Sequence, residues 1–194
     1  MKPYKDYAPK EPAKAREQLP IGGYVLKILE AKEVNYDWGD VLLISFDIAE
    51  GEYKDFYKKD YAAQQQEDRK WKGTYRLNEP KDDGSEKDGW TKNTFDGAMW
   101  AFENSNTGYH WDWNETKLKG KIVGGLFRNK QYEFKGNRGF FTECCRLDSA
   151  ETIRKGEFKM PKDKLLNNSN DAVSFSSPGN GGFEEIKSDD DLPF

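Results

Sequence analysis

The sequence predicts a mainly β protein: a five-stranded barrel with one helix between its third and fourth strands, elaborated loops, and a disordered acidic C-terminal tail. Three observations carry this. β-rich runs separated by Asn/Asp/Gly turns recur between residues 22 and 147. One stretch has helical spacing, and after residue 167 Asn, Ser, Gly and Asp dominate, which is linker composition. The organisation expected is a flexible arm over 1–20, one folded domain over 21–166, and a linker with an acidic tip over 167–194.

The arm holds Pro3, Pro9, Pro12 and Pro20 among Lys, Glu and Ala, with no apolar period. Tyr24 to Ala31 and Val41 to Ala49 flank an Asn35–Asp40 turn and read as a hairpin. In the second run Leu42, Ile44, Phe46 and Ile48 share one face, which leaves Ser45 and Asp47 on a wet one. Asp55 to Tyr61, rich in aromatics and lysines, reads as a third strand. The polar stretch from Gln64 to Leu77 has no clear period, and Pro80 to Gly89 reads as a charged loop.

Phe95, Ala98, Met99 and Phe102 recur at helical spacing, so a helix is expected over 94–104, with Asn93 as its cap and Asp96 three residues on. Lys121 to Arg128 with Gln131 to Phe134, and then Phe140 to Leu147, form the last strands around a turn at Lys135–Gly139. Gly124-Gly125 inside a strand suggests a bulge or sharp bend. Arg154 to Pro161 reads as an ordered strap.

Composition narrows the function classes. No apolar run is long enough to span a bilayer and the first twenty residues lack a secretory signal, so a soluble protein is expected. The adjacent Cys144 and Cys145 would point to opposite faces of a strand, as reduced thiols. With His110 the only histidine and no Cys-x-x-Cys, neither a structural zinc site nor any cofactor is expected. The net charge of −4 conceals an uneven distribution. Residues 170–194 hold six acids (Asp171, Glu184, Glu185, Asp189, Asp190, Asp191) and one base, Lys187, leaving 30 bases against 29 acids elsewhere. A near-neutral body can still carry a basic groove on one face.

Five strands with a helix between the third and fourth is the order of the oligonucleotide-binding (OB) barrel. Gly-Tyr-Val-Leu-Lys-Ile at 23–28, Ala-Glu-Gly-Glu-Tyr-Lys-Asp-Phe at 49–56 and Ile-Arg-Lys-Gly-Glu-Phe-Lys-Met-Pro-Lys at 153–162 resemble bacteriophage and prophage single-stranded-DNA-binding proteins. Asp189-Asp190-Asp191-Leu192-Pro193-Phe194 resembles the acidic tip of the bacterial proteins of that class, with Leu192 where those tips usually carry Ile. The resemblance implies DNA coating in replication or recombination in a bacterial host cytoplasm, and capture of replication proteins by the tip. A Phe ring with a carboxylate suits a hydrophobic pocket rimmed by Arg or Lys, and the three Asp attract that rim at longer range.

Binding single strands without sequence preference takes ring faces for bases and cations for phosphates. The best interleaving is Phe56-Tyr57-Lys58-Lys59 and Trp71-Lys72 through Tyr75-Arg76. The resemblance to OB barrels implies that two loops, at Tyr36–Trp38 and at Lys135–Arg138, sit where such barrels close over a strand, and Arg128, Lys130 and Tyr132 are further candidates. Phe46, Phe95, Phe102 and Phe127 are expected in the core, whereas Trp38 and Trp71 suit exposure and burial equally. Two alternatives remain. One is a recombination mediator or annealing protein that also contacts duplex. The other is a Mg2+-dependent nuclease using Asp37, Asp40, Asp47, Glu50 or Glu52, although turns and wet strand faces account for these acids more simply. No phosphate-cradling Gly-x-x-x-x-Gly-Lys and no nucleophile elbow occurs.

Overall fold

The computed structural model describes residues 17–65 and 67–166, together with Lys5 and Ala8. Most of the expected arm and all of the expected tail therefore lie outside the described residues. In chain order the elements are β1 (Gly22–Tyr36), β2 (Gly39–Ile48), α1 (Phe56–Ala63), β3 (Thr74–Asn78), α2 (Glu86–Ser105), a 3-10 turn (Glu115–Leu118), β4 (Ile122–Phe134), β5 (Asn137–Asp148) and α3 (Ala150–Lys155). The strands form one antiparallel sheet in the order β3-β2-β1-β4-β5. The helix between β3 and β4 is present as expected. The sheet, however, is not closed into a barrel: β3 and β5 are its two edges, and α2 packs against β3, β4 and β5.

The main core gathers the inward residues of all five strands with one face of α2. Leu42, Ile44, Phe46 and Ile48 are buried together as their alternation predicts, as are Phe95, Ala98, Met99 and Phe102 at their helical spacing. A second, smaller cluster joins Val25 and Leu126 to Ala150 and Ile153 of α3. Gly124 and Gly125 bring these layers together. A Cβ at Gly124 would lie 2.4 Å from Ile153 and one at Gly125 2.5 Å from Leu26, so bare backbone is what lets α3 and β1 close in. The expected irregularity falls one residue later, between Leu126 and Phe127, where the register skips Cys145 in β5. Cys144 accordingly sits in the main core and Cys145 against the smaller cluster, both as free thiols that burial pushes up in pKa.

Three expectations are corrected. Phe56–Tyr61 belongs to a helix, α1, with Asp55 just before it, and the third strand is Thr74–Asn78. The cause is Asp47, which is buried rather than wet: its carboxylate accepts from the amides of Ile48 (2.8 Å), Tyr57 (2.9 Å) and Lys58 (3.1 Å) and so caps α1 from the neighbouring strand. Burial raises the Asp47 pKa, with the three amides pulling it back.

Second, α2 begins at Glu86, inside the expected charged loop. Ser85 caps it by accepting from the Asp88 amide at 3.1 Å, and Asn93 lies within the helix. Third, the strap begins as α3, capped by Ser149. It then seats Phe158 against Gly23 and pairs Lys164 with Asn129 and Gln131 of β4, where β1 no longer covers that edge.

Replacing Asp47 with Ala leaves three amides unpaired and is expected to lower unfolding free energy by about 1–3 kcal/mol. Asp47→Asn keeps one acceptor and should lose less. Urea denaturation of the two variants separates them, and equal, negligible losses would show that α1 does not depend on this cap.

Candidate nucleic-acid interface

The outward face of β1–β2–β3 follows from register. Ala31, Ile44 and Tyr75 form one cross-strand row and Glu33, Leu42 and Leu77 another; of these, all but Glu33 belong to the core. Between them, Lys32, Leu43 and Arg76 form a row that points the other way, with both cations exposed. Four residues beyond Lys32, about 13 Å along the strand, Tyr36 ends the same outward set. Its ring stacks on Trp38 with centroids 5.1 Å apart and planes 10° from parallel.

The two rings are 36% and 38% exposed, the half-open state of a surface that can take a further planar group. The tip is held from several sides. Asn35 donates to Asp40 at 2.8 Å and to Glu33 at 3.0 Å, and the Lys81 ammonium donates to the Trp38 carbonyl at 2.7 Å. Acids stand close by: the Glu79 carboxyl is pushed up by burial and by the charges of Glu33, Asp40 and Glu115. The tip is thus an aromatic platform of mixed charge rather than part of a uniformly basic channel.

The second predicted group is mostly structural. Tyr57 and Tyr75 are buried, which raises both phenol pKa values, and Tyr57 meets Phe46 edge to face at 5.5 Å. Neither is a stacking surface. The alternation that was to interleave rings and lysines does not exist in a helix, where Tyr57 turns inward while Lys58 and Lys59 stay exposed. Lys59 also donates to the Lys54 carbonyl at 2.9 Å. Phe56 is half-buried against Tyr53 and Tyr57.

Trp71 is half-buried, and its indole N–H donates to the carbonyls of Phe46 and Gly73, each at 3.1 Å, so it closes the core between β2 and the approach to β3. Lys72 beside it is half-buried as well. Only Lys58, Lys59 and Arg76 of this group are exposed.

The β4–β5 hairpin brings Arg128, Lys130 and Tyr132 to one face with Phe141 and Glu143, as alternation and pairing require. Arg128 donates to Glu143 through Nε (3.0 Å) and Nη2 (2.8 Å), and the Lys130 ammonium lies 3.6 Å from the same carboxylate and 5.7 Å from the Phe141 ring centroid. Tyr132 and Phe141 are 6.2 Å apart. At the turn Lys135 lies over Phe134 at 5.2 Å, and Arg138 bonds Glu133 at 2.7 Å. Rings and cations do share this hairpin, but carboxylates balance much of its charge.

The two tips are not neighbours in register. β4 pairs with residues 22–27 of β1 and then runs on past Gly22, so the Tyr36–Trp38 tip and the Lys135–Arg138 turn lie beyond opposite ends of β1. Asp189, Asp190, Asp191, Leu192, Pro193 and Phe194 lie outside the described residues. Sequence reasoning missed several exposed rings: Phe134 and Phe140 on the hairpin, Trp90 and Trp100 on α2, and Trp113. Helical spacing was the available signal for Trp100, which falls outside the apolar stripe of its own helix.

Among the described residues no cluster of His, Cys, Asp or Glu could hold a metal ion, and no helix is long and apolar enough to cross a membrane. A platform and a core residue respond differently to truncation. Trp38→Ala is expected to change stability by no more than about 0.5 kcal/mol, whereas Tyr57→Ala should cost about 3–5 kcal/mol; paired thermal and denaturant melts test this, and a large loss for Trp38→Ala would make that ring structural. No protein-family model matches the chain, and no curated protein matches its sequence.

Proposed function

We propose that this protein binds single-stranded DNA without sequence preference, coating and protecting it during phage-type replication or recombination in the host cytoplasm. The observation that carries the reading is the Tyr36–Trp38 stack, parallel, half-open and on the same outward face as the Lys32–Leu43–Arg76 row. A base offers a ring to the platform, and the row offers two cations to the phosphates that follow it.

The strand order supports the same reading. β3-β2-β1-β4-β5 with a helix after β3 is the order of an OB barrel opened between its third and fifth strands. Such barrels take oligonucleotides on the face of their second and third strands and in the loop between the first two, where the outward row and the platform lie. The β4–β5 turn supplies Lys135 and Arg138 at the far end of β1. The acidic tip at 189–194 recruits replication or recombination proteins through Phe194 and its three Asp, and competes weakly with DNA for the same cations.

Fluorescence titration with oligothymidylates and mixed-sequence strands of graded length tests the reading. Binding is expected to ignore sequence and to weaken with salt by a log–log slope of about −0.7 per phosphate neutralised. Trp38→Ala should weaken it by about 5- to 100-fold, the equivalent of one lost stacking contact. Equal affinity for duplex would favour a mediator, and degradation of the strand in Mg2+ would favour a nuclease. Removing residues 189–194 is expected to tighten DNA binding at low salt and to abolish partner capture; unchanged DNA affinity would rule out competition by the tip.

A further inference from the structure

α2 carries two faces. Phe95, Ala98, Met99 and Phe102 enter the core, while Trp90, Asn93, Thr94, Gly97 and Trp100 lie within an arc of about 120° on another side. That second side forms one wall of an open groove of about 510 Å³, whose other wall is Tyr75 of β3 with Arg146, Leu147 and Asp148 of β5. The groove therefore occupies the seam between the two unpaired sheet edges.

Trp90 and Trp100 are 50% and 54% exposed. Ten residues separate them, about 15 Å of helix axis, so they bracket the groove instead of covering each other. The half-open indoles therefore give the groove a ring face at each end.

The glycines of α2 add a second observation. Gly89 and Gly97 stand inside the helix, where glycine is unfavourable. At neither position would a Cβ meet any atom within 4 Å, so packing does not require them. Gly97 adds no side chain to the wall between the two indoles, where Asn93 and Thr94 are the other residues of that side. At the rim, the Asp148 carboxylate accepts from the Ser149 amide at 2.8 Å, and Arg146 reaches Asp148 through one nitrogen at 3.4 Å. That contact occupies one of the five N–H donors of a guanidinium that is well exposed to solvent.

We infer that this groove is a second nucleobase-stacking subsite, in which Trp90 and Trp100 take bases of a single strand and Arg146 takes an adjoining phosphate. Ring faces, a wall of small side chains and one rim cation are the chemistry of a flexible, flat, anionic ligand. The inference rests on the proposed single-strand binding and adds to it a contact remote in sequence from the Tyr36–Trp38 platform.

The test is a titration of 15N-labelled full-length protein with a twelve-residue oligothymidylate, following the indole N–H signals of Trp38, Trp90 and Trp100, each assigned with its Trp→Phe variant. The Trp90 and Trp100 signals are expected to shift with the same saturation as binding. Gly97→Leu, which adds a helix-favouring side chain into open space, should melt no lower than wild type yet bind about 5- to 100-fold more weakly. Arg146→Gln should flatten the salt dependence.

Binding that moves Trp38 while leaving Trp90 and Trp100 unmoved, with Gly97→Leu at wild-type affinity, overturns the subsite and leaves the main reading intact. Absence of binding to the oligonucleotide overturns both. A peptide of sequence Asp-Asp-Asp-Leu-Pro-Phe is titrated in parallel, and shifts of Trp90 and Trp100 with the peptide but not with the oligonucleotide would make the groove a protein-docking site and overturn the inference.

Discussion

Phe46 of β2 and Phe127 of β4 meet edge to face at 5.9 Å, although β1 lies between their strands in the sheet. A flat sheet cannot make that contact, since each neighbouring strand adds about 4.8 Å of separation and the side chains stand perpendicular to it. The sheet must curl over β1 until its inner residues touch. Tyr24 of β1 packs on Phe127 at 5.3 Å and Tyr57 of α1 on Phe46 at 5.5 Å, so one edge-to-face aromatic cluster fixes the curvature and the position of the first helix together. On the outer side of the same strands Lys32 and Arg76 are exposed, with Leu43 half-buried between them.

What was legible in the sequence was whatever depends on local period. The β1–β2 and β4–β5 hairpins, the inward set Leu42–Ile48 and the apolar stripe of α2 follow from two and 3.6, and they appear where those periods put them. What was illegible depends on contacts through space. α1 has no side-chain cap of its own; the amides of Tyr57 and Lys58 are satisfied by Asp47, 10 and 11 residues upstream on another element, and Asp55 before it adopts a left-handed backbone (φ 60°). The same applies beyond α1, where Gln64 is buried and holds the chain by exchanging hydrogen bonds with the Lys70 backbone at 2.8 and 2.9 Å. One amide side chain thus ties Gln64 to Lys70 where the sequence offers no period. In α2 Gly89, set among charged residues, hid the first eight residues of a helix that begins at Glu86 behind an ordinary capping serine, Ser85.

The candidate site was legible in part for a similar reason. Aromatic residues alternating with lysine describe equally a binding strand and a helix with one buried side, and the difference lies in the backbone rather than in the composition. Tyr57 and Tyr75 serve the core because α1 and β3 present those positions inward, and Trp71 because its indole N–H is held by the Phe46 and Gly73 carbonyls, whereas Tyr36 and Trp38 remain half-open because a two-residue turn leaves no neighbouring strand to cover them. Among the described residues the most exposed tryptophans lie on or just after α2, the element that covers the seam between β3 and β5.

Charge balance sharpens what kind of binding such a surface supports. Arg128 and Lys130 share Glu143, Arg138 bonds Glu133, and Lys81 is turned to a backbone carbonyl at the β1–β2 tip. In the proposed binding, cations engaged this way would exchange one partner for another when a phosphate arrives, so each would gain less from the polyanion than a solvated lysine. Stacking carries no such penalty, because an indole face half-open to water loses only water when a base covers it. Under the proposed function, an interface built from these parts would draw more of its affinity from rings than from charge. That balance suits a near-neutral body, since a strongly basic one would hold duplex and single strand alike through their phosphates, while ring faces are of use only to bases that have left the stack.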